Sequence, residues 1–259
     1  MAESIHLAVS DGIARVTLVR PEVRNAFNAE VIEQLHEVFT RITAADNVRA
    51  VVLAGEGKVF CGGADINWMR ASLDLTFEAN VGDAERMSDM FSAIDNCPKP
   101  VVGRVHGAAL GGGAGLAAVC DIAIATDDAI FGFTEVKLGI IPAVISPFVI
   151  AKIGASHARA LFLTGERFDA QHAKAIGLVH EVVSANEVDA AVDRRLAELH
   201  SAAPTAVSAA KLLLRRVLDN SYEESRSITT QAIARQRVSS EGQEGLRAFL
   251  ERRSAKFAE

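Results

Sequence analysis

The stretch Lys99–Gly115, KPVVGRVHGAALGGGAG, constrains this 259-residue chain more than any other. Val101, Val102 and Val105 form a short β-branched run that stops at His106-Gly107. Gly111-Gly112-Gly113 then open the small-residue run AGLAAV before Cys120-Asp121. This pattern reads as a buried strand delivering a glycine-rich helix start. Glycine lets a ligand approach the backbone closely, and the first N–H groups of a helix have no partner inside it. Such donors can hold an anion, or an oxyanion that develops during a reaction. Twenty residues beyond Gly115 comes Glu135, in FGFTEVKLGIIP. Its apolar neighbours would desolvate the carboxyl group, raise its pKa and suit it to proton transfer.

Other readings of the same residues are weaker. Gly113-Ala114-Gly115-Leu116-Ala117-Ala118 fits G-x-G-x-x-A, the dinucleotide fingerprint. That fingerprint requires a tight turn directly off the strand, whereas several residues separate Val105 from Gly113, and Glu135 follows a second strand rather than the first. No Walker loop is present, because Gly57-Lys58 is followed by Val59. His106 beside a turn reads as a packed or backbone-bonded histidine, and Cys61 as a small buried filler.

The composition allows a substantial core in one large domain or one domain with an appendage: 49% of residues are hydrophobic. The formal net charge is −6, and Lys and Arg are scattered without a like-charged block, which argues against nucleic-acid and membrane-surface partners. Cys61, Cys97 and Cys120 are too few and too widely spaced for a disulfide framework, and no CxxC or His-x-x-x-His spacing points to zinc. Reduced thiols and a cytoplasmic location are expected. MAESIHLAVSDG has two acids and no apolar centre, so it reads as neither a secretory signal nor a transit peptide.

In chain order, Ile5–Val9 and Ile13–Val19 flank Asp11-Gly12 and predict a hairpin. Asn28 caps a helix whose apolar positions run from Val31 to Ile42. Val48–Leu53 returns to strand. VFCGGADINWMRA is a small-residue loop entering a helix whose first turn contains Asp65, and Thr76–Ile94 is a further helix. Strands Val101–Val105, Ile122–Ala125 and Ile130–Phe133 follow. Repetition in units of about fifty residues predicts stacked ββα layers. From Ser156 to Glu259 the composition is almost wholly helical. SAAP near His200 suggests a division into residues 1–200 and a helical segment 201–259.

Taken together, RPEVRNAFN, VFCGGADI, VHGAALGGGAGLAAVCDIAIA, FGFTEVKLGIIP, LTGERFDAQHAKAIGLV and EGLRAFLERRSAKF resemble the crotonase, or enoyl-CoA hydratase/isomerase, superfamily over essentially the whole length. The resemblance implies an α/β fold, a crotonase-like spiral of ββα units with a C-terminal helical segment that trimerises, as a homotrimer or a dimer of trimers. It implies an acyl-CoA substrate and no permanently bound cofactor. By position, the backbone N–H groups of Ala64 and Gly112 would hold the thioester oxygen, and Glu135 would move the proton. CoA would run along Arg24, Ala26, Asp65 and Ile66, with Arg24 suited to a phosphate; Ala64, Gly112 and Gly115 would also touch the ligand.

Two features depart from the family pattern. Gly115 stands where typical hydratases carry a first catalytic glutamate, and IIPAVISPF replaces a glycine-rich stretch. AVISPF resembles a bacterial subset acting on branched 3-methylglutaconyl-type thioesters. The expected activity is hydration or dehydration of a 2-enoyl-CoA by one glutamate, with water entering beside Gly115. The alternatives are a double-bond isomerase using the same glutamate and a non-catalytic acyl-CoA-binding protein.

Overall fold

Asp11 and Gly12 both take positive φ, 51° and 73°, so the turn between strands β1 (Ile5–Ser10) and β2 (Ile13–Leu18) has the twist a two-residue hairpin needs. This computed structural model describes residues 4–258. Met1–Glu3, the start of the segment expected to carry no targeting signal, and Glu259, the end of the helical tail, lie outside the described residues. Helix α1 (Ala29–Ala44) begins where the Asn28 side chain accepts the Val31 N–H, and it buries Val31, Ile32, Leu35, Val38, Phe39 and Ile42 as its spacing predicts. Strand β3 (Ala50–Gly55) follows, then helices α2 (Ile66–Ser72) and α3 (Phe77–Asp95). Asp65 is the residue before α2 rather than part of its first turn; its carboxylate accepts the Asn67 N–H.

Strand β4 (Val101–Val105) leads into a short strand β5 (Ala108–Leu110), helix α4 (Gly112–Val119), strand β6 (Ile122–Thr126) and strand β7 (Ile130–Gly132). Helix α5 (Ser146–Thr164), strand β8 (Arg167–Asp169), helix α6 (Ala170–Ala175) and strand β9 (Glu181–Val183) come next. Helices α7 (Val188–Ser201), α8 (Pro204–Leu218), α9 (Tyr222–Val238) and α10 (Ser240–Glu251) complete the order. Two strands therefore interrupt the region read as wholly helical. In β8 only Phe168 is buried, and three residues carry too little alternation to reveal a strand; pairing with β7 holds it extended. β9 exists because its residues pair in parallel with β6.

The six-stranded sheet runs β1-β2-β3-β4-β6-β9, parallel except for the β1–β2 hairpin. Like most parallel sheets it is buried on both faces. Val51, Leu53, Val101 and Val105 join the main core, whereas Ala50, Val52, Val102 and Ile124 meet Val188, Ala191, Val192 and Leu196 of α7 on the other side. In a smaller sheet, β5-β7-β8, β5 and β7 are the second strands of successive ββα units and β8 pairs antiparallel with β7. The architecture is the crotonase-type spiral. α7 ends before Ala202, and α8 to α10 together bury only Ser225 and Ala248 among their described residues. Among the described residues, no helix is long and apolar enough to cross a membrane.

Candidate active site

Successive turns of the spiral place equivalent residues side by side. A parallel bridge sets Cys61 against Ala109, and the β5–β7 register sets Ala109 against Phe131. Ala64 follows Cys61 by three residues, Gly112 follows Ala109 by three, and Glu135 follows Phe131 by four. Three residues far apart in sequence thus arrive at one place because the strands before them pair.

Each backbone donor is left free by the pairing of its neighbours. Phe27 N donates to Gly63 O at 2.7 Å and Asp65 N to Phe27 O at 2.7 Å, which turns the intervening Ala64 N–H away from Phe27. Gly112 is the first residue of α4, so its N–H has no acceptor within the helix. Neither N–H has an acceptor among the described residues. The preceding Gly111 donates its N–H to Gly132 O at 2.8 Å and takes φ 52°, ψ −121°, a conformation only glycine adopts readily.

Glu135 opens a single 3-10 turn, Glu135–Leu138, which Phe133 and Thr134 separate from β7. Its Oε2 is buried and has no hydrogen-bond partner among the described residues. Burial raises its pKa above the ordinary 4.5, and its own backbone N–H, which favours the anion, offsets part of the rise. Ala64, Gly112 and Glu135 line one cavity of about 450 Å³, whose further walls are Phe27, Trp68, Met87, Ile140 and Ile145. Two free N–H donors and a carboxylate with one oxygen unpartnered lie around an otherwise largely apolar space. That set can stabilise an enolate and move a proton to or from the adjacent carbon.

The other expected contacts lie elsewhere. Arg24 (φ 59°) is exposed behind Gly62, its guanidinium without an acceptor among the described residues. Ala26 is buried and its carbonyl accepts Arg20 Nη1 at 2.8 Å. Ile66 is 73% exposed at the start of α2. The Asp65 carboxylate caps α2 and pairs with Arg20 Nη2 at 2.9 Å. Burial alone would raise its pKa; the hydrogen bonds from Asn67 and Arg20 outweigh that and lower it. None of these four side chains lines the cavity. His106 is backbone-bonded, its Nε2 2.9 Å from Gly57 O with Arg104 facing Nδ1. Cys61 is fully buried, its thiol pushed up to about 12 by desolvation.

The sequence profile described as Enoyl-CoA hydratase/isomerase matches residues 8–259. The chain belongs to the enoyl-CoA hydratase/isomerase family. It is 37% identical over 206 residues to an enoyl-CoA hydratase, ACTT6, of Alternaria alternata, covering 79% of this chain and 67% of that protein. The crystal structure of an enoyl-CoA hydratase from Shewanella pealeana superposes with a TM-score of 0.94 at 39% identity, covering 98% of this chain and 95% of that one. Pseudomonas aeruginosa AtuE superposes at 0.96 with 36% identity, covering 99% and 100%.

Within this enoyl-CoA hydratase/isomerase frame, one expectation about the site fails. Gly115 leaves no room for water. A Cβ there would stand 2.5 Å from Ile145 Cγ2 and 3.1 Å from Phe91 Cζ, so the space is already filled by side chains, and Gly115 does not line the cavity. The sequence reading also missed the wall supplied by α2 and α3, including Trp68, Ser72, Asn80 and Met87. Exposed apolar residues, Ile66 at 73% on α2 and Phe77 at 78% on α3, blur the amphipathic signal that would have marked them.

Proposed function

We propose that the protein is an enoyl-CoA hydratase, adding water to or removing it from the 2,3 double bond of an enoyl thioester of coenzyme A. The observation that carries this reading is the meeting of the Ala64 N–H, the Gly112 N–H and the Glu135 carboxylate in one cavity. In the hydration direction, Glu135 takes a proton from water as the water oxygen bonds to C3. The π electrons move through C2 and C1 onto the thioester oxygen, where the two N–H groups hold the enolate. The carbonyl then re-forms as C2 takes the proton back from Glu135, leaving a 3-hydroxyacyl thioester. Donors positioned for the oxyanion are worth several kcal/mol, since losing one typically costs about 3 kcal/mol.

Double-bond isomerisation is the second reading, favoured by the presence of one unpaired carboxylate. Asp83 also lines the cavity but is paired with Arg86. In that reaction Glu135 takes a proton from C4 and delivers one to C2, with no water added. The third reading, a non-catalytic acyl-CoA-binding protein, would leave the free donors and the carboxylate without a task. A panel of enoyl-CoA esters, scored for loss of conjugated absorbance and for double-bond migration, separates these readings. Absorbance loss with a hydroxyacyl product supports hydration, migration without water uptake supports isomerisation, and calorimetric binding without turnover supports the third.

The acyl group proposed is a branched, 3-methylglutaconyl-type unit. Its support is the AVISPF resemblance; Ala143, Val144 and Ile145 of that stretch line the cavity and would meet the methyl branch rather than the distal carboxylate. A higher kcat/KM for this ester than for crotonyl-CoA is expected; the reverse order would discard it. The helical segment 201–259 is proposed to join subunits in a homotrimer or a dimer of trimers, and Arg24, Ala26, Asp65 and Ile66 to lie along the CoA chain.

A further inference from the structure

The residue that governs how many acids this site can hold is not in the glycine-rich helix but in the segment facing it. Ile145 is the last residue before α5, 2% exposed, and it lines the cavity with its side chain against Gly115. Phe91 closes the other side of the same spot and packs edge-on against Phe27, with ring centroids 6.2 Å apart. Any side chain at position 115 would therefore meet Ile145 and Phe91. A carboxylate there would also be desolvated against Ile145 and Phe91, and no Lys, Arg or His lines the cavity among the described residues.

We infer that Ile145 is a specificity-determining residue: its side chain occupies the volume of a second catalytic acid and commits the enzyme to proton transfer through Glu135 alone. This inference deepens the hydratase reading and rests on it for its chemical half. The reacting water has an apolar wall on the Ile145 side, so Glu135 is the carboxylate that receives its proton. Gly115 and Ile145 form a volume-matched pair in which neither residue can be enlarged while the other stays.

The steric half is tested by stability, which needs no substrate. In a helix interior Gly→Ala ordinarily stabilises. Here Gly115→Ala is expected to lower the urea midpoint of unfolding of the full chain, and to raise it in an Ile145→Gly background, since an alanine at 145 would keep the Cβ that stands 3.1 Å from a Cβ at 115. A rise in both backgrounds would overturn the inference, because Ile145 would then be moving aside freely. The chemical half uses Gly115→Glu with and without Ile145→Gly. Gly115→Glu alone is expected to lose at least tenfold in kcat/KM on the best enoyl-CoA ester. The double variant should recover at least tenfold of that and show a second ionisation in its pH–rate profile, which a merely structural relief would not add. Wild-type turnover and a single ionisation in Gly115→Glu would overturn the inference. If no variant and not the parent enzyme turns over any enoyl-CoA, the hydratase reading fails, while the stability cycle still decides the place of Ile145.

Discussion

Gly111 and Glu135 are fitted to each other: a Cβ on Gly111 would stand 3.0 Å from Oε1 of Glu135, and Gly111 holds φ 52° where a side chain is strained. The residue before the oxyanion donor is thus bare so that the carboxylate can lie over it. Gly111→Ala should destabilise the fold by about 1–3 kcal/mol, the usual range for a residue forced into a sparsely populated backbone region. It should also lower kcat by displacing both Glu135 and the Gly112 N–H. Urea unfolding together with steady-state kinetics checks both; unchanged kcat with reduced stability would separate Gly111 from the chemistry.

Glu135→Gln keeps shape and removes the base. General acid–base assistance is worth roughly 10²–10⁴ in rate, and no second unpaired carboxylate lines the cavity among the described residues, so kcat should fall by about 10⁴ with KM little changed. Near-native turnover by this variant on the best ester would mean that another group is the base.

Burial also makes Glu135 a pH-dependent element of stability. Its folded pKa is raised, so folding favours the protonated form: the contribution is complete below the ordinary value of 4.5 and declines as pH rises through the higher folded value. Glu135→Gln should therefore be more stable than the parent near pH 7, with the difference vanishing below about pH 4. Thermal midpoints measured across that range test the sign. In catalysis the same shift moves the acid limb of the parent enzyme's kcat/KM profile upward from the ordinary value of 4.5.

Much of this was legible in the sequence because it depends on local rules. The Asp11-Gly12 hairpin, the Asn28 cap and the β4-to-α4 stretch follow from turn chemistry and periodicity. What the sequence hid depends on pairing across turns of the spiral. β5 is three residues long and β8 has one buried side chain, so neither carries an alternation to read; each exists because a neighbouring strand accepts it. The glycine at 115 suggested an opening because one sequence cannot show that Ile145, thirty residues later, fills it. Nor does the sequence show that the Asp65 carboxylate is engaged by Arg20, which lies 45 residues away and meets it only in the fold.

That engagement makes Asp65 a positioning residue for the Ala64 donor. Its side chain is 6% exposed and that of Arg20 18%, and Asp65 N anchors the segment to Phe27 O. Asp65→Ala leaves Arg20 largely buried without its partner and removes the cap of α2, and should cost about 3–5 kcal/mol. Asp65→Asn, which keeps an acceptor for the Asn67 N–H, should cost less. Both should reduce kcat more than KM if the loss acts through Ala64, whereas a rise in KM alone would limit Asp65 to its place along the CoA chain.

The last prediction concerns the C-terminal helices. Leu246, Phe249 and Leu250 lie at i, i+3 and i+4 of α10, one stripe of the helix, and are 51%, 81% and 79% exposed. Leu214 and Leu218 form a second such pair on α8, 68% and 81% exposed. Fully burying one such side chain is worth roughly 1.5–3 kcal/mol, and contiguous exposed apolar residues of this size mark contact surfaces. If the segment joins subunits, these side chains are covered in the assembly, and a charge placed among them must be desolvated for subunits to meet. Leu246→Asp with Leu250→Asp should then shift a trimer or hexamer to monomer in light scattering at micromolar concentration, with circular dichroism unchanged because both positions face solvent in the single chain. A parent protein that is itself a stable monomer at that concentration would refute the assembly outright. A double variant that still assembles would move the contact away from α10.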